Sequence, residues 1–170
     1  AAAPAAPTDL AEWVTRGTPI VDLRLRNEAV DDAAYALEAH ALTLRSRIGW
    51  QTAALNGWSM RLVGSDIRAL RDDYNSTVNG RTSYPTVADP QGTDIDQAVF
   101  AYTASQFAFA AGRQRLAFDN ERFIGPSAWR QREQTFDSAS LSWTPRQEAK
   151  LAYVYLDRVR RVNDATINVA

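Results

Sequence analysis

Residues 41–64, ALTLRSRIGWQTAALNGWSMRLVG, alternate apolar and polar side chains on both sides of Asn56 and Gly57. Successive side chains of a β-strand point to opposite faces, so this pattern predicts two strands. Asn-Gly is typical of a two-residue hairpin turn, because both residues of that turn adopt positive φ angles. The stretch therefore predicts a β-hairpin with one polar and one apolar face. The apolar face comprises Leu42, Leu44, Ile48, Trp50, Trp58, Met60 and Leu62.

Such a hairpin fits two kinds of sheet. In a soluble sheet the apolar face covers a core and the polar face meets water. In an outer-membrane barrel the apolar face meets lipid and the polar face lines a wet lumen. Trp50 and Trp58 flank the turn, where an aromatic girdle of a barrel would lie, although rings that cap a soluble core would fit as well.

Strand-like alternation recurs along the whole chain, at residues 19–30, 41–52, 57–67, 93–103, 106–115, 135–143 and 150–162. Most of these segments exceed the usual length of about 5–6 residues for soluble strands and suit a tilted membrane crossing of about 9–11 residues. Residues 9–16 are compatible with a short helix, and residues 66–74 with either a helix or the end of a strand.

The connections between these segments alternate in length. Residues 31–40, 71–92 and 116–134 form long connections, and residues 53–56, 104–105 and 144–149 form short ones. Outer-membrane barrels alternate short periplasmic turns with longer extracellular loops. The sequence therefore predicts an all-β fold, an antiparallel up-and-down transmembrane β-barrel with long extracellular loops at 71–92 and 116–134.

The domain organisation follows from the same segments. Residues 1–18 are expected to form a leader or periplasmic segment, since the Ala/Pro-rich start lacks the basic and apolar regions of an intact signal peptide. Residues 19–170 are expected to form the barrel strands. The sequence predicts seven strands, whereas bacterial single-chain barrels have an even number of strands. We therefore expect an incomplete, N-terminal portion of a barrel that continues beyond residue 170.

Composition excludes several classes of function. The 170-residue chain has a net charge of −1, without the basic excess of a nucleic-acid binder. It has no cysteine and a single histidine, His40, so thiol chemistry, zinc sites and Ser-His-Asp catalysis have no support. We expect no enzyme activity, no metal and no cofactor. Arginine supplies all but one of the 19 basic residues, which fits either a GC-rich genome or planar contacts with carboxylates.

Charged residues fall on the polar face of the early strands and recur in later ones. The basic candidates for the lumen are Arg24, Arg26, Arg45, Arg47, Arg61, Arg113 and Arg115, and the acidic ones are Asp22 and Glu28. Arginines that project into a confined wet channel favour anionic solutes. The apolar and charged rows exchange parity near residues 64–67 and 112–115, where a bulge at a glycine would explain each slip.

Residues 112–140, GRQRLAFDNERFIGPSAWRQREQTFDSAS, resemble the corresponding stretch of the alginate-export family of bacterial outer-membrane β-barrels. The stretches DLRLR at 22–26, LTLRSRIG at 42–49 and YPTVADPQGT at 84–93 resemble the same family, whereas Glu121 stands where glutamine is expected. The resemblance implies a porin-like channel of the Gram-negative outer membrane. Together with the arginines of the polar face, it predicts passive diffusion or export of a polar or anionic, carboxylate- or uronate-type solute. Its expected partners are outer-membrane lipid and that solute.

By analogy with the family, residues 116–134 are expected to fold into the lumen and narrow it. The arginines Arg122, Arg130 and Arg132 would then face the carboxylates Asp119, Glu121 and Glu133. An ordinary surface loop held by ion pairs is the alternative.

Two other functions remain open from the sequence. A secreted soluble β-sandwich that binds carbohydrate would bury Leu42, Leu44, Ile48, Trp50 and Leu62. An outer-membrane enzyme on a barrel would need a nucleophile with a base, and His40 has no serine partner in its sequence context.

Overall fold

The computed structural model describes residues 6–118 and 120–163, so the sequence predictions for residues 1–5, 119 and 164–170 lie outside the described part. This part forms one short helix and seven strands. They are α1 (Leu10–Thr15), β1 (Thr18–Val30), β2 (Ala39–Gln51), β3 (Trp58–Asp73), β4 (Gly92–Thr103), β5 (Phe107–Gln114), β6 (Thr135–Arg146) and β7 (Ala149–Arg160). The described helix lacks the length and apolarity needed to cross a membrane.

Each strand pairs antiparallel with its neighbours in the chain, in the order β1-β2-β3-β4-β5-β6-β7. The all-β, up-and-down fold is therefore confirmed. Within the described residues the sheet is open between β1 and β7, as expected for a portion of a barrel wall. β3 continues to Asp73, so residues 66–74 end a strand and do not form a helix.

The predicted hairpin turn is present between β2 and β3. Asn56 and Gly57 have φ angles of 50° and 86°. Leu55 and Trp58 exchange two backbone hydrogen bonds of 2.9 Å across them. The predicted alternation of connections is also present: residues 31–38, 74–91 and 115–134 are the long connections, and residues 52–57, 104–106 and 147–148 the short ones.

The two faces of the sheet have the opposite polarity from a soluble fold. On the outward face of β1, Val21 and Leu23 are each 70% exposed. On the other face of the neighbouring strand, Arg45 and Arg47 are 4% and 6% exposed. We call this second side the inner face. The arginines of β2 are thus buried while aliphatic side chains of β1 are exposed, a pattern that suits an apolar medium around the outward face.

A β-sandwich is wrong for this chain. The described strands form one sheet, not two packed sheets. Ile48 and Leu62, which a sandwich would bury, are 68% and 48% exposed.

The small apolar core lies at the end of the sheet where the long connections meet. Ala39, Ala41, Tyr74 and Val87 pack there, so residues 74–91 are held against β2. The Tyr74 hydroxyl donates a 2.9 Å hydrogen bond to the carbonyl of Asp89. Burial, together with the nearby Asp89 and Asp72 carboxylates, raises the pKa of Tyr74 to about 12. This ordered connection fixes Asp89, which contacts the inner face.

A register shift lies at one of the two predicted bulge positions, with the extra residue on the neighbouring strand, and none lies at the other. Between Val63 and Gly64 the register of β3 on β4 shifts, which leaves Asp96 as an extra residue on β4. At Gly112 the pairing is continuous on both sides. Gly112 instead has a φ of 115°, and a Cβ there would lie 2.1 Å from the carbonyl oxygen of Ala98. The glycine permits a close approach of two strands, not an inserted residue.

Candidate functional site: the inner face and the segment folded over it

Strand alternation places the early arginines together on the inner face. Arg24 of β1 pairs directly with Arg45 of β2, and Asp22 pairs with Arg47. Like charges directly opposite each other destabilise a sheet unless other groups neutralise them. The long connection between β5 and β6 supplies those groups.

Residues 126–134, which we call the folded-in segment, cross the inner face of β1 and β2. Arg24 donates hydrogen bonds to the carbonyls of Ala128, Trp129 and Arg130 at 3.0, 2.9 and 3.2 Å. Gln131 has 0% exposure, and its amide donates to the carbonyl and hydroxyl of Thr43 at 3.0 and 2.9 Å. The segment is therefore anchored by its backbone as well as by its side chains.

The carboxylate of Glu133 joins arginines from two distant parts of the sheet. Its Oε1 lies 2.8 Å from Arg47 Nη1 and 3.8 Å from Arg45 Nη1, and its Oε2 lies 2.6 Å from Arg115 Nε. Two more carboxylates complete the cluster: Asp96 lies 3.0 Å from Arg47, and Asp22 lies 3.0 Å from Arg45. Three guanidinium groups thus face three carboxylates, and the charges balance locally.

The connection at 74–91 meets the same segment through Asp89. This carboxylate is 1% exposed, lies 2.7 Å from Arg26 and accepts a 3.0 Å hydrogen bond from the backbone N–H of Gln131. Arg26 also pairs with Glu28. The guanidinium of Arg130 lies 3.8 Å from the ring centroid of Trp129. Asp89 therefore joins the connection at 74–91 to the folded-in segment on the inner face.

The ion pairs of the folded-in segment differ from the predicted ones. Arg130 pairs with Glu28 of β1, and Arg132 pairs with Asp94 of β4, both at 3.8 Å. Strands supply these partners, because the segment lies across the sheet and does not close on itself. Arg122 and Glu121 are exposed away from the cluster, and Asp119 lies outside the described residues.

Arg113, which was predicted to line the lumen, has its contacts at the junction of β4, β5 and β6. In the alternation of β5 it belongs with Phe109 and Ala111, on the opposite face from Gln114. Its guanidinium lies 2.8 Å from Asp137 and 3.4 Å from Asp94. This ion pair fills the gap where β4 and β5 diverge beyond Ala98.

A recess of about 200 Å³ remains open on the inner face, nearer the short connections. Its polar lining comprises Gln51, Ser59, Arg61, Gln97, Gln114 and Arg115. Arg61 has no ion pair with any described residue, and its buried Nε has no hydrogen-bond partner there. Arg61 is thus a cation without a carboxylate beside an open polar space.

Sequence reasoning missed several residues of this face. Asp89 and Gln131 lie within the family-like stretches, but nothing near them in sequence identifies their partners. Thr43 lies on the polar face of the predicted hairpin, but nothing in its sequence context points to Gln131 as its partner, and Asp96 carries no local signal. Among the described residues, no group of His, Asp or Glu could hold a metal ion.

A family model described as alginate export matches residues 20–156. The chain belongs to the alginate export family. This is a family of outer-membrane proteins with an export or channel role, and the match spans β1 to β6 and most of β7. Comparisons with curated proteins and with solved structures gave no match.

The outward face has the properties expected of the lipid-facing surface of an outer-membrane barrel. All seven apolar residues predicted to meet lipid share this face by strand alternation, and Ile48, Trp58, Met60 and Leu62 are exposed. Trp58 stacks on Phe100 with ring centroids 4.8 Å apart, and Phe107 stacks on Trp143 at 6.1 Å. These rings lie next to the short connections, where an aromatic girdle would meet one membrane interface.

Leu62→Arg is expected to destabilise the protein in a bilayer, whereas Ser59→Arg on the same strand is not. Leu62 is on the outward face, and an arginine on the lipid face of a barrel costs up to about 2–4 kcal/mol. Ser59 lines the open polar recess. The measurement is the free energy of unfolding by denaturant in lipid vesicles. Equal stability of the two variants would contradict a lipid-facing outward row.

Proposed function

We propose that this protein forms a channel in the Gram-negative outer membrane that passes a polar, anionic solute bearing a carboxylate, as a uronate does. Membership of the alginate export family supports the channel role. The exposed apolar row outside and the charged face inside support a lumen on the inner side of the sheet.

The observation that carries the anion preference is Arg61 in the open recess. The cluster around Glu133 is neutral as a whole, so it contributes little net field along the inner face. Arg61 has no such partner among the described residues, and glutamine amides from three strands surround it. A guanidinium matches a carboxylate, and amides suit sugar hydroxyls, which is the chemistry of a uronate.

The folded-in segment gives this channel a fixed constriction. It covers Arg24, Arg45 and Arg47 and leaves the recess below it open. A solute moving along the inner face would therefore pass a narrow, charge-balanced section and a wider section with one unpaired cation.

The test is conductance of the full-length protein in planar lipid bilayers. We expect discrete current steps in potassium chloride, a reversal potential in a salt gradient that favours the anion, and reduced but measurable current when glucuronate replaces chloride. A protein that folds and stays in solution without detergent, or that inserts without conductance, would overturn the proposal. A channel that prefers potassium would overturn the anion preference alone.

A further inference from the structure

Helix α1 is held against the wall at the short connection between β2 and β3. It has six residues and an N-cap at Asp9, whose side chain accepts a 2.8 Å hydrogen bond from the N–H of Glu12. So short a helix is unstable alone, and tertiary contacts must fix it. The indole of Trp13 donates to the carbonyl of Trp58 at 3.0 Å, and the N–H of Ala53 donates to the carbonyl of Trp13 at 3.1 Å.

The contacts place α1 on the outward side of the wall. Trp50, an outward residue of β2, donates its indole N–H to the carbonyl of Val14 at 2.9 Å. Gly17 passes so close to this ring that a Cβ there would lie 2.3 Å from the indole nitrogen. The chain thus runs over an outward tryptophan before it enters β1.

The exposed surface of α1 is amphipathic. Leu10 and Val14 are four residues apart, so they lie on one side of the helix, and they are 70% and 46% exposed. Glu12 and Arg16 lie on another side and form a 2.7 Å ion pair. The apolar side has no protein cover in the described structure, although it continues the outward apolar row.

We propose that α1 lies in the membrane interface on the side of the short connections, with Leu10 and Val14 inserted among lipid chains. This inference rests on the proposed membrane function. Lipid is favoured as the partner because the apolar side continues the lipid-facing row, and because Trp13 and Trp50 stand beside it, as tryptophans do at membrane interfaces. A protein partner would need about 800 Å² on each side, which two side chains do not supply.

The test uses single cysteines, since these 170 residues contain none. Leu10→Cys, Val14→Cys and Thr15→Cys are each made in the full-length protein, labelled with an environment-sensitive fluorophore and reconstituted in vesicles with brominated lipids. Thr15 is an exposed residue on the polar part of α1 and serves as the matched control. Ile48→Cys, on the outward face of β2, reports on the wall itself.

We expect quenching at positions 10 and 14 to be at least about twofold stronger than at position 15 and close to that at position 48. Quenching at 48 with no difference among 10, 14 and 15 would overturn the interfacial helix and leave the proposed function standing. Absence of quenching at 48 would overturn the proposed membrane function. Labels at 10 and 14 that are shielded from water yet unquenched by lipid would indicate a protein partner and would also overturn the inference.

Discussion

Replacing Glu133 by alanine is expected to release the folded-in segment from the inner face and to raise the conductance of the channel. Glu133 is 6% exposed and contacts Arg45, Arg47 and Arg115. Removal of its carboxylate leaves two buried guanidinium groups short of a counter-charge. Breaking one side of a buried ion pair costs about 3–5 kcal/mol.

This loss of stability is expected to loosen the folded-in segment and to leave the pairing of the strands intact. Backbone pairing between β1 and β2 spans thirteen residues of each strand and does not involve Glu133. The remaining anchors of the segment are Gln131 and the carbonyls bound by Arg24. We therefore expect a barrel that still inserts, with larger and noisier current steps because the segment moves away from the wall and back.

Single-channel recordings test this expectation, with Glu38→Ala as the control. Glu38 is an exposed carboxylate in another long connection, and among the described residues its one ion pair is with His40, at 3.5 Å. Glu133→Gln keeps the shape of the side chain without its charge and is expected to lie between the wild type and Glu133→Ala. Conductance and current noise in Glu133→Ala that match those of Glu38→Ala would show that this carboxylate does not hold the constriction.

The strands and turns were predictable because their signals are local. Alternation over residues 41–64 fixed the hairpin, and Asn56 and Gly57 fixed its turn, since each signal depends on immediate neighbours in sequence. The alternation of long and short connections is equally visible in the sequence. Strand ends were within a few residues of the observed ones, except that β3 continues to Asp73 through a stretch that also fitted a helix.

The partners within the inner face were not predictable, because they depend on where a long connection folds. Glu133 was expected to pair with arginines of its own segment, but its partners lie on β2 and just after β5. Asp89 comes from a different connection altogether. Arg113 was predicted as a lumen residue, and the close approach at Gly112 and the divergence of β4 from β5 set its actual contacts.

Replacing Arg61 by glutamine is expected to remove more of the anion preference than any other single arginine substitution on the inner face. Arg45, Arg47 and Arg115 each face a carboxylate, so their fields are partly cancelled close to the source. Arg24 has no carboxylate partner among the described residues, but the carbonyls of the folded-in segment cover its guanidinium. Arg61 lines the open recess without an ion pair in the described structure. A permeating anion can approach it directly.

The size of the effect follows from Coulomb's law. Two unit charges 4 Å apart interact by about 1 kcal/mol in bulk water, and more where protein displaces water. One kcal/mol corresponds to a factor of about five in an equilibrium ratio. We therefore expect the ratio of anion to cation permeability to fall by about fivefold at low salt, and by less at 1 M, where the Debye length is about 3 Å.

Reversal potentials in a salt gradient measure this ratio, and Arg68→Gln is the matched control. Arg68 lies on the same strand, but its side chain is 59% exposed and already paired with Asp66 at 2.8 Å. Glutamine at position 61 resembles the neighbouring amides of the recess, so the fold is expected to persist and the change to be one of charge alone. An equal reversal potential for Arg61→Gln and Arg68→Gln would place the solute path away from this recess. Removal of an unpaired guanidinium on the path must change the ratio of anion to cation permeability.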